Sequence, residues 1–197
     1  MQVKRVFHVD NNAAYCYSDG TYLYVGEFYR AGNYETDKSH YYTTPHGDAN
    51  KAIVSAYKLD SDGLMAPQGV QPYPEYSISV TGLVQGFATE NGTFVLSRSY
   101  GLANSALEYH SAPKESGKTI TVQFKKNPDA EKKEIPLYYL DTTTLYKSLT
   151  LPSFSEDVTI VDGRVAVTNE ASANKYFVGK LFGAHKVYSY PLYPAGE

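Results

Sequence analysis

The sequence predicts an all-β protein made of three copies of one four-stranded antiparallel unit. Composition is the first reason: 197 residues contain 20 Tyr, 8 Phe, 15 Gly and 10 Pro, with hardly any run of good helix formers at helical spacing. Aromatic and β-branched side chains pack well on a pleated surface. The second reason is a recurring phrase, "SDGTYLYVGE" at 18–27, "ENGTFVLSRS" at 90–99 and "VDGRVAVTNE" at 161–170, each placing Asp-Gly or Asn-Gly between alternating apolar runs. Such a pair is the strongest short-range signal for a two-residue hairpin, whose central residues both need positive φ. The third is spacing: Gly20, Gly92 and Gly163 are separated by 92 − 20 = 72 and 163 − 92 = 71 positions. A fixed interval of this size marks a structural repeat.

Each unit reads as strands A to D. The A strands are "AAYCYS", "QGFATE" and "EDVTIV", and the B strands "TYLYVG", "TFVLSR" and "RVAVTN", placing hairpins near 13–27, 85–99 and 156–170. Third strands are expected to end in "VSAYKLD", "PLYYLD" and "KVYSYPL". "EYSISV" and "YKSLTL" then lead into the next A strand, and "KRVFHV", within 3–9, does so at the N-terminus. On this reading residues 114–134 are a charged, solvated excursion, and Cys16 is a small buried hydrophobe on the inner strand.

Four-stranded meanders stacked radially are β-propeller blades. The stretches "GTYLYVGEFYRAGNYETDKSHYYTTPHGDANKAIVSAYKLD", "VQGFATENGTFVLSRSYGLANS" and "LPSFSEDVTIVDGRVAV" resemble the carboxy-terminal half of Firmicutes propellers of the YVTN/WD40-like superfamily, whose function is unknown. That resemblance implies one partial propeller over 1–197 and, since such proteins are generally exported, a secreted or extracellular setting. Closed propellers carry at least four blades, and three are counted here. The first D strand lacks a preceding A–C set and the last A–C set lacks a D. A second copy lending its N-terminal strand would close a six-bladed ring; another chain supplying the missing blades is the alternative.

Charge and cysteine content narrow the function classes. A net charge of −3 with scattered acids and bases argues against nucleic acid and polybasic membrane surfaces, and one cysteine excludes an internal disulfide or thiolate cage. The start "MQVKRVFHVD" lacks the apolar stretch of a signal peptide. No nucleophile elbow, phosphate-cradling loop or H-E-x-x-H helix occurs, so catalysis is the less favoured reading.

The long polar, aromatic loops all fall on the face carrying the D-to-A and B-to-C connections, the longest being 27–50 with four tyrosines. Ligand contacts are expected there from Glu27, Arg30, Tyr34 and His40. The plainer alternative is an ion pair between Glu27 and Arg30 with solvated histidines. Asp37, His40, His46 and Asp48 are admissible metal ligands, but a six-residue step between the histidines fits no tight pattern, so no metal or cofactor is expected. Register adds a second set: Glu27, Ser99 and Glu170 lie seven residues after the ruler glycines, and Ala13, Gln85 and Glu156 seven before. Gln85, Glu156, Glu27 and Glu170, with Arg98 as counter-charge, are expected to line a channel mouth; the plainer alternative is that they bond neighbouring blades or channel water. These features point to a non-catalytic module holding a carbohydrate or peptide on the Tyr-rich loops. A hydrolase using paired carboxylates and a purely structural assembly module are the alternatives.

Overall fold

The computed structural model describes residues 6–63, 65–67, 69–170 and 186–193. It is all-β; among the described residues the only helical element is a 3-10 turn, Lys38–His40. Three main sheets, mostly antiparallel, follow one another along the chain. The first begins as a meander of β1 (Ala13–Ser18), β2 (Tyr22–Glu27), β5 (Ala52–Lys58) and β6 (Tyr76–Val80), with the short pair β3 (Tyr42–Thr43) and β4 (Ala49–Asn50) between β2 and β5. The second is β7 (Val84–Glu90), β8 (Thr93–Arg98), β9 (Ser105–His110) and β12 (Leu145–Leu151). The third is β13 (Ser155–Val161), β14 (Arg164–Asn169) and β15 (Val187–Pro191).

The three hairpins share backbone irregularities, though not all of them. Asn91 and Gly92 (φ 52° and 77°) and Asp162 and Gly163 (φ 51° and 67°) form the two-residue turns the sequence demands. The first copy differs. Only Gly20 has positive φ (87°); Ser18 pairs with Leu23, and the Asp19 carboxylate instead accepts from the backbone of Thr21 and Tyr22, both at 2.8 Å. All three hairpins carry a register shift early in the A strand, at Ala13/Tyr15, Val84/Gly86 and Ser155/Val158. Past the shift in β1, Tyr15 is buried and Cys16 is exposed, against the expectation of a buried thiol.

One predicted strand went elsewhere. The third strand of the second sheet is β9, not "PLYYLD". Six residues join β8 to β9, whereas reaching 136–141 means closing a far longer loop. Leu107 and Tyr109 of β9 supply the apolar face the sheet needs, both fully buried. "PLYYLD" falls largely in β11 (Lys133–Tyr139), which pairs with β10 (Lys114–Val122) and adds to the edge of the first sheet, parallel to β6. The excursion expected to be a solvated loop is therefore an arm. Ile120, Val122 and Phe124, alternating with polar residues, bury one face against Ile135, Leu137, Tyr42 and Ile53. At the N-terminus, residues 3–5 of the expected closing strand lie outside the described residues; 6–9 are not a strand, and Val6 is exposed.

The sheets stack through their first strands, β1 against β7 and β7 against β13. Phe87 and Leu96 pack toward Tyr24, Val54 and Ile78 of the first sheet; Ala88, Val95 and Leu107 pack toward Val158, Val165 and Val167 of the third. Tyr17 Oη donates to the carbonyl of Thr89, one repeat length away, at 3.2 Å. On the other side, a Cβ on Gly86 would stand 2.7 Å from Val158 N and 2.9 Å from Asp157 Cα, so only glycine admits this backbone approach. Gly86→Ala is expected to lower stability by about 1–3 kcal/mol through overpacking against an immovable backbone. In urea unfolding this loss should be the same in Gly86→Ala and Gly86→Ser; full stability in either would show that β13 does not depend on the close approach.

Candidate functional site

The loop between β2 and β5 is organised by one buried carboxylate. Glu27 closes β2 and is 1 % exposed. Its Oε1 accepts from Asn12 N (3.2 Å), and its Oε2 accepts from Ile53 N (3.4 Å) and meets His40 Nδ1 at 3.0 Å. A carboxylate has no proton to offer, so His40 Nδ1 carries the hydrogen and Nε2 is the ring atom left for other partners. His40 ends the 3-10 turn, which Asp37 begins by accepting from Ser39 N at 3.0 Å. The backbone N–H and then the hydroxyl of Ser39 hold the Asp37 carboxyl below its ordinary range. The predicted Glu27–Arg30 ion pair does not form, and His40 is buried rather than solvated. Burying Glu27 demands a partner at once, and His40 is the one its own loop folds back.

Residues 8–12 cross the outer face of the first sheet. Val54 and Ala56 face the second sheet, so Ile53, Ser55 and Tyr57 of β5 take the opposite side. There Asp10 accepts from Tyr57 Oη (2.8 Å) and Ser55 Oγ (3.0 Å), while its own N–H donates to Tyr57 Oη (3.0 Å). Asp10 and His40 border a crevice of about 260 Å³, with Phe124 and Lys125 of the arm on its far wall. Sequence reasoning missed Asp10, which directly follows the expected strand "KRVFHV" and carries no motif that marks it.

The outer part of the loop builds an aromatic platform. Arg30 and Tyr34 exchange backbone hydrogen bonds at 2.9 and 3.0 Å, closing a tight turn. Phe28 lies edge-on to Tyr34 (5.4 Å) and nearly parallel to Tyr100 (6.2 Å, 24°), and the Arg30 guanidinium sits 3.9 Å over the Tyr100 ring. Tyr34 is 56 % and Tyr100 36 % exposed. Behind it, Tyr29 and Tyr41 meet edge to face at 5.8 Å with Lys51 Nζ 5.3 Å from each ring.

The remaining predicted residues do not join this cluster. Arg98 donates through Nε to Gly82 O (3.1 Å) and pairs with Glu108 at 2.6 Å. Burial works to raise the Glu108 carboxyl, and its neighbours, His110 first and then Arg98, outweigh this and hold it below the ordinary value. Gln85 is half-buried and Glu156 half-buried, whereas Glu170 is exposed. At two of the register positions the backbone bonds alike: Ser99 N donates to Leu83 O (3.0 Å) and Glu170 N to Phe154 O (2.9 Å), the acceptors both at positive φ. The side chains diverge nonetheless, and both Glu27 oxygens are engaged within the first sheet and its loop. Among the described residues no group of three or more His, Cys, Asp or Glu is placed to hold a metal ion.

Compared with family models, curated proteins and solved structures, the chain gives no match.

Burial raises the Asp10 carboxyl above its ordinary 3.8, against smaller lowering contributions from Tyr57, Ser55 and His40. The folded state therefore holds the proton more tightly than the unfolded chain. Stability from this group is fully present below the unfolded pKa and declines as pH rises through the folded one. Relative to Asp10→Asn, the wild type is expected to lose stability over that window and then level off. Chemical denaturation of both proteins from acid to neutral pH measures this, and a pH-independent difference would refute it.

Proposed function

We propose that this protein is a non-catalytic binding module that holds a carbohydrate or peptide chain on its loop face. The observation that carries the reading is the platform of Phe28, Tyr34 and Tyr100 with Arg30 held over it. Aromatic rings with polar tips stack on the apolar C–H faces of a sugar while their hydroxyls, and a nearby guanidinium, serve its oxygens. The rings are fixed by contacts with each other before any ligand arrives, which reduces the ordering a ligand must impose. The paired-carboxylate hydrolase reading gains nothing from Glu27, whose oxygens are engaged. Tyr34→Ala with Tyr100→Ala is expected to weaken the best oligosaccharide from a soluble glycan panel at least tenfold, about 1.4 kcal/mol, with the circular dichroism spectrum unchanged. Unaltered affinity in the double variant, measured by calorimetry, would remove the platform from consideration.

We also infer that the three sheets are consecutive blades, of the propeller kind the repeat resembles, and that a further chain docks on the third. Successive packing of β1, β7 and β13 supports this. A six-bladed ring made by two copies needs an open outer face on the first sheet. Ser55, Tyr57, Ser77 and Ser79 are fully buried there, under the chain's own residues 8–12 and arm. The third sheet offers its outer residues instead, with Val161 56 % and Val187 67 % exposed among the described residues. Light scattering is expected to give a multiple of 21.8 kDa that falls to the single-chain mass in Val161→Arg with Val187→Arg. A wild-type chain already at that mass would end the self-assembly reading.

A further inference from the structure

Away from the platform, and sharing no residue with it, a pocket of about 220 Å³ opens where β4 and the end of β11 meet β8 and β9. Leu96, Leu140 and Leu145 form apolar wall, and Asp48, Glu108, Asp141, Arg98, Asn50 and His110 supply the polar lining. The hydrogens can be assigned one at a time. The Thr144 hydroxyl gives its single proton to Asp141 O (2.8 Å) and accepts from Asp141 N (3.0 Å). Its 2.9 Å contact with His110 Nδ1 must then be accepted as well, so Nδ1 carries the ring hydrogen. His110 is 4 % exposed, and its Nε2 is a buried atom with no hydrogen-bond partner. The nearest carboxylate atom, Glu108 Oε2, is 3.8 Å away, too long for a hydrogen bond, so in the neutral ring Nε2 is an acceptor without a donor.

The other polar groups lean the same way. Asn50 gives both amide hydrogens to Ser79 O (3.1 Å) and Leu140 O (2.9 Å), which leaves only its carbonyl oxygen. The Asp48 carboxylate accepts from Thr142. Three carboxylates thus face one guanidinium across the lining, and that guanidinium is already paired with Glu108 at 2.6 Å. Lys114 lies beside Asp141, bonded to Thr143 Oγ1, but is not part of the lining. A buried acceptor left without a donor is costly, and a ligand that brings hydrogens and positive charge relieves it. An anion or a hydrogen-bond acceptor would meet the same negative lining and be repelled.

We propose that this pocket binds a primary alkylammonium group, donating to His110 Nε2 and Glu108 Oε2, with its methylenes against Leu96, Leu140 and Leu145. The volume suits a chain of a few carbons. The same chemistry is presented by a free diamine and by a lysine side chain.

Two probes separate those sources: 1,4-diaminobutane and Nα-acetyl-lysine methylamide, titrated into the whole chain, with butyrate as the anionic control. Calorimetry and the side-chain ¹⁵N resonances of His110 are read together. Before titration Nε2 is expected at the position of an unprotonated nitrogen, moving on addition of amine and not of butyrate. Binding of the diamine alone assigns a free amine, and binding of the lysine derivative alone assigns a protein side chain. Glu108→Gln, which keeps an oxygen toward Arg98, and His110→Phe are each expected to weaken binding at least tenfold. The Gln variant serves if the Phe variant does not fold. The proposal is overturned if neither amine moves Nε2 in the folded protein, if butyrate binds equally well, or if Nε2 already carries a proton bonded to Glu108 at neutral pH.

Discussion

The middle sheet has two apolar faces, and both must be covered. Alternation along β7 and β8 sends Phe87 and Leu96 one way and Ala88 and Val95 the other, all buried. A sheet with one polar face can leave it in water; this one cannot, so it fixes a neighbour on each side. At the inner edge the two backbones come so close beside Gly86 that no side chain fits between them. The stacking order of the three sheets follows from that demand rather than from any single hydrogen bond.

Covering the middle sheet leaves the flanking sheets with outer faces to dispose of, and they do so differently. The third presents exposed residues in alternation among its described strands. The first hides a polar face under its own chain. Ser55, Ser77 and Tyr57 are apolar enough to be buried only because Asp10 and the hydroxyls bond one another. A carboxylate held there costs desolvation, which is why its proton is bound more tightly than in water. Glu27 solves the same problem with backbone N–H groups and an imidazole, and in doing so pins both ends of the loop that carries the platform. The exposed rings are therefore presented by a segment whose base is rigid, the arrangement that suits recognition.

Legibility followed range. The hairpins at 13–27, 85–99 and 156–170 were readable because a period of two and a turn pair act within a few residues. Asp19-Gly20 was misjudged in detail, since an aspartate that caps its own turn removes the need for two positive φ values. "PLYYLD" was recognised as a strand and assigned to the wrong sheet, because its alternation says nothing about which edge accepts it. The alternation of Ile120, Val122 and Phe124 was present in the sequence but masked by the lysines around it.

Local chemistry, then, determined that the chain is all-β, where its turns fall and that one phrase is written three times; these depend on φ preferences and on side chains two positions apart. Tertiary structure alone decided that the arm joins the first sheet, that Glu27 meets His40 rather than Arg30, and that Asp10 and His110 are buried. Such outcomes rest on contacts between residues from 13 to 94 positions apart. They turn on which polar groups lose their water together, a condition no short stretch of sequence contains.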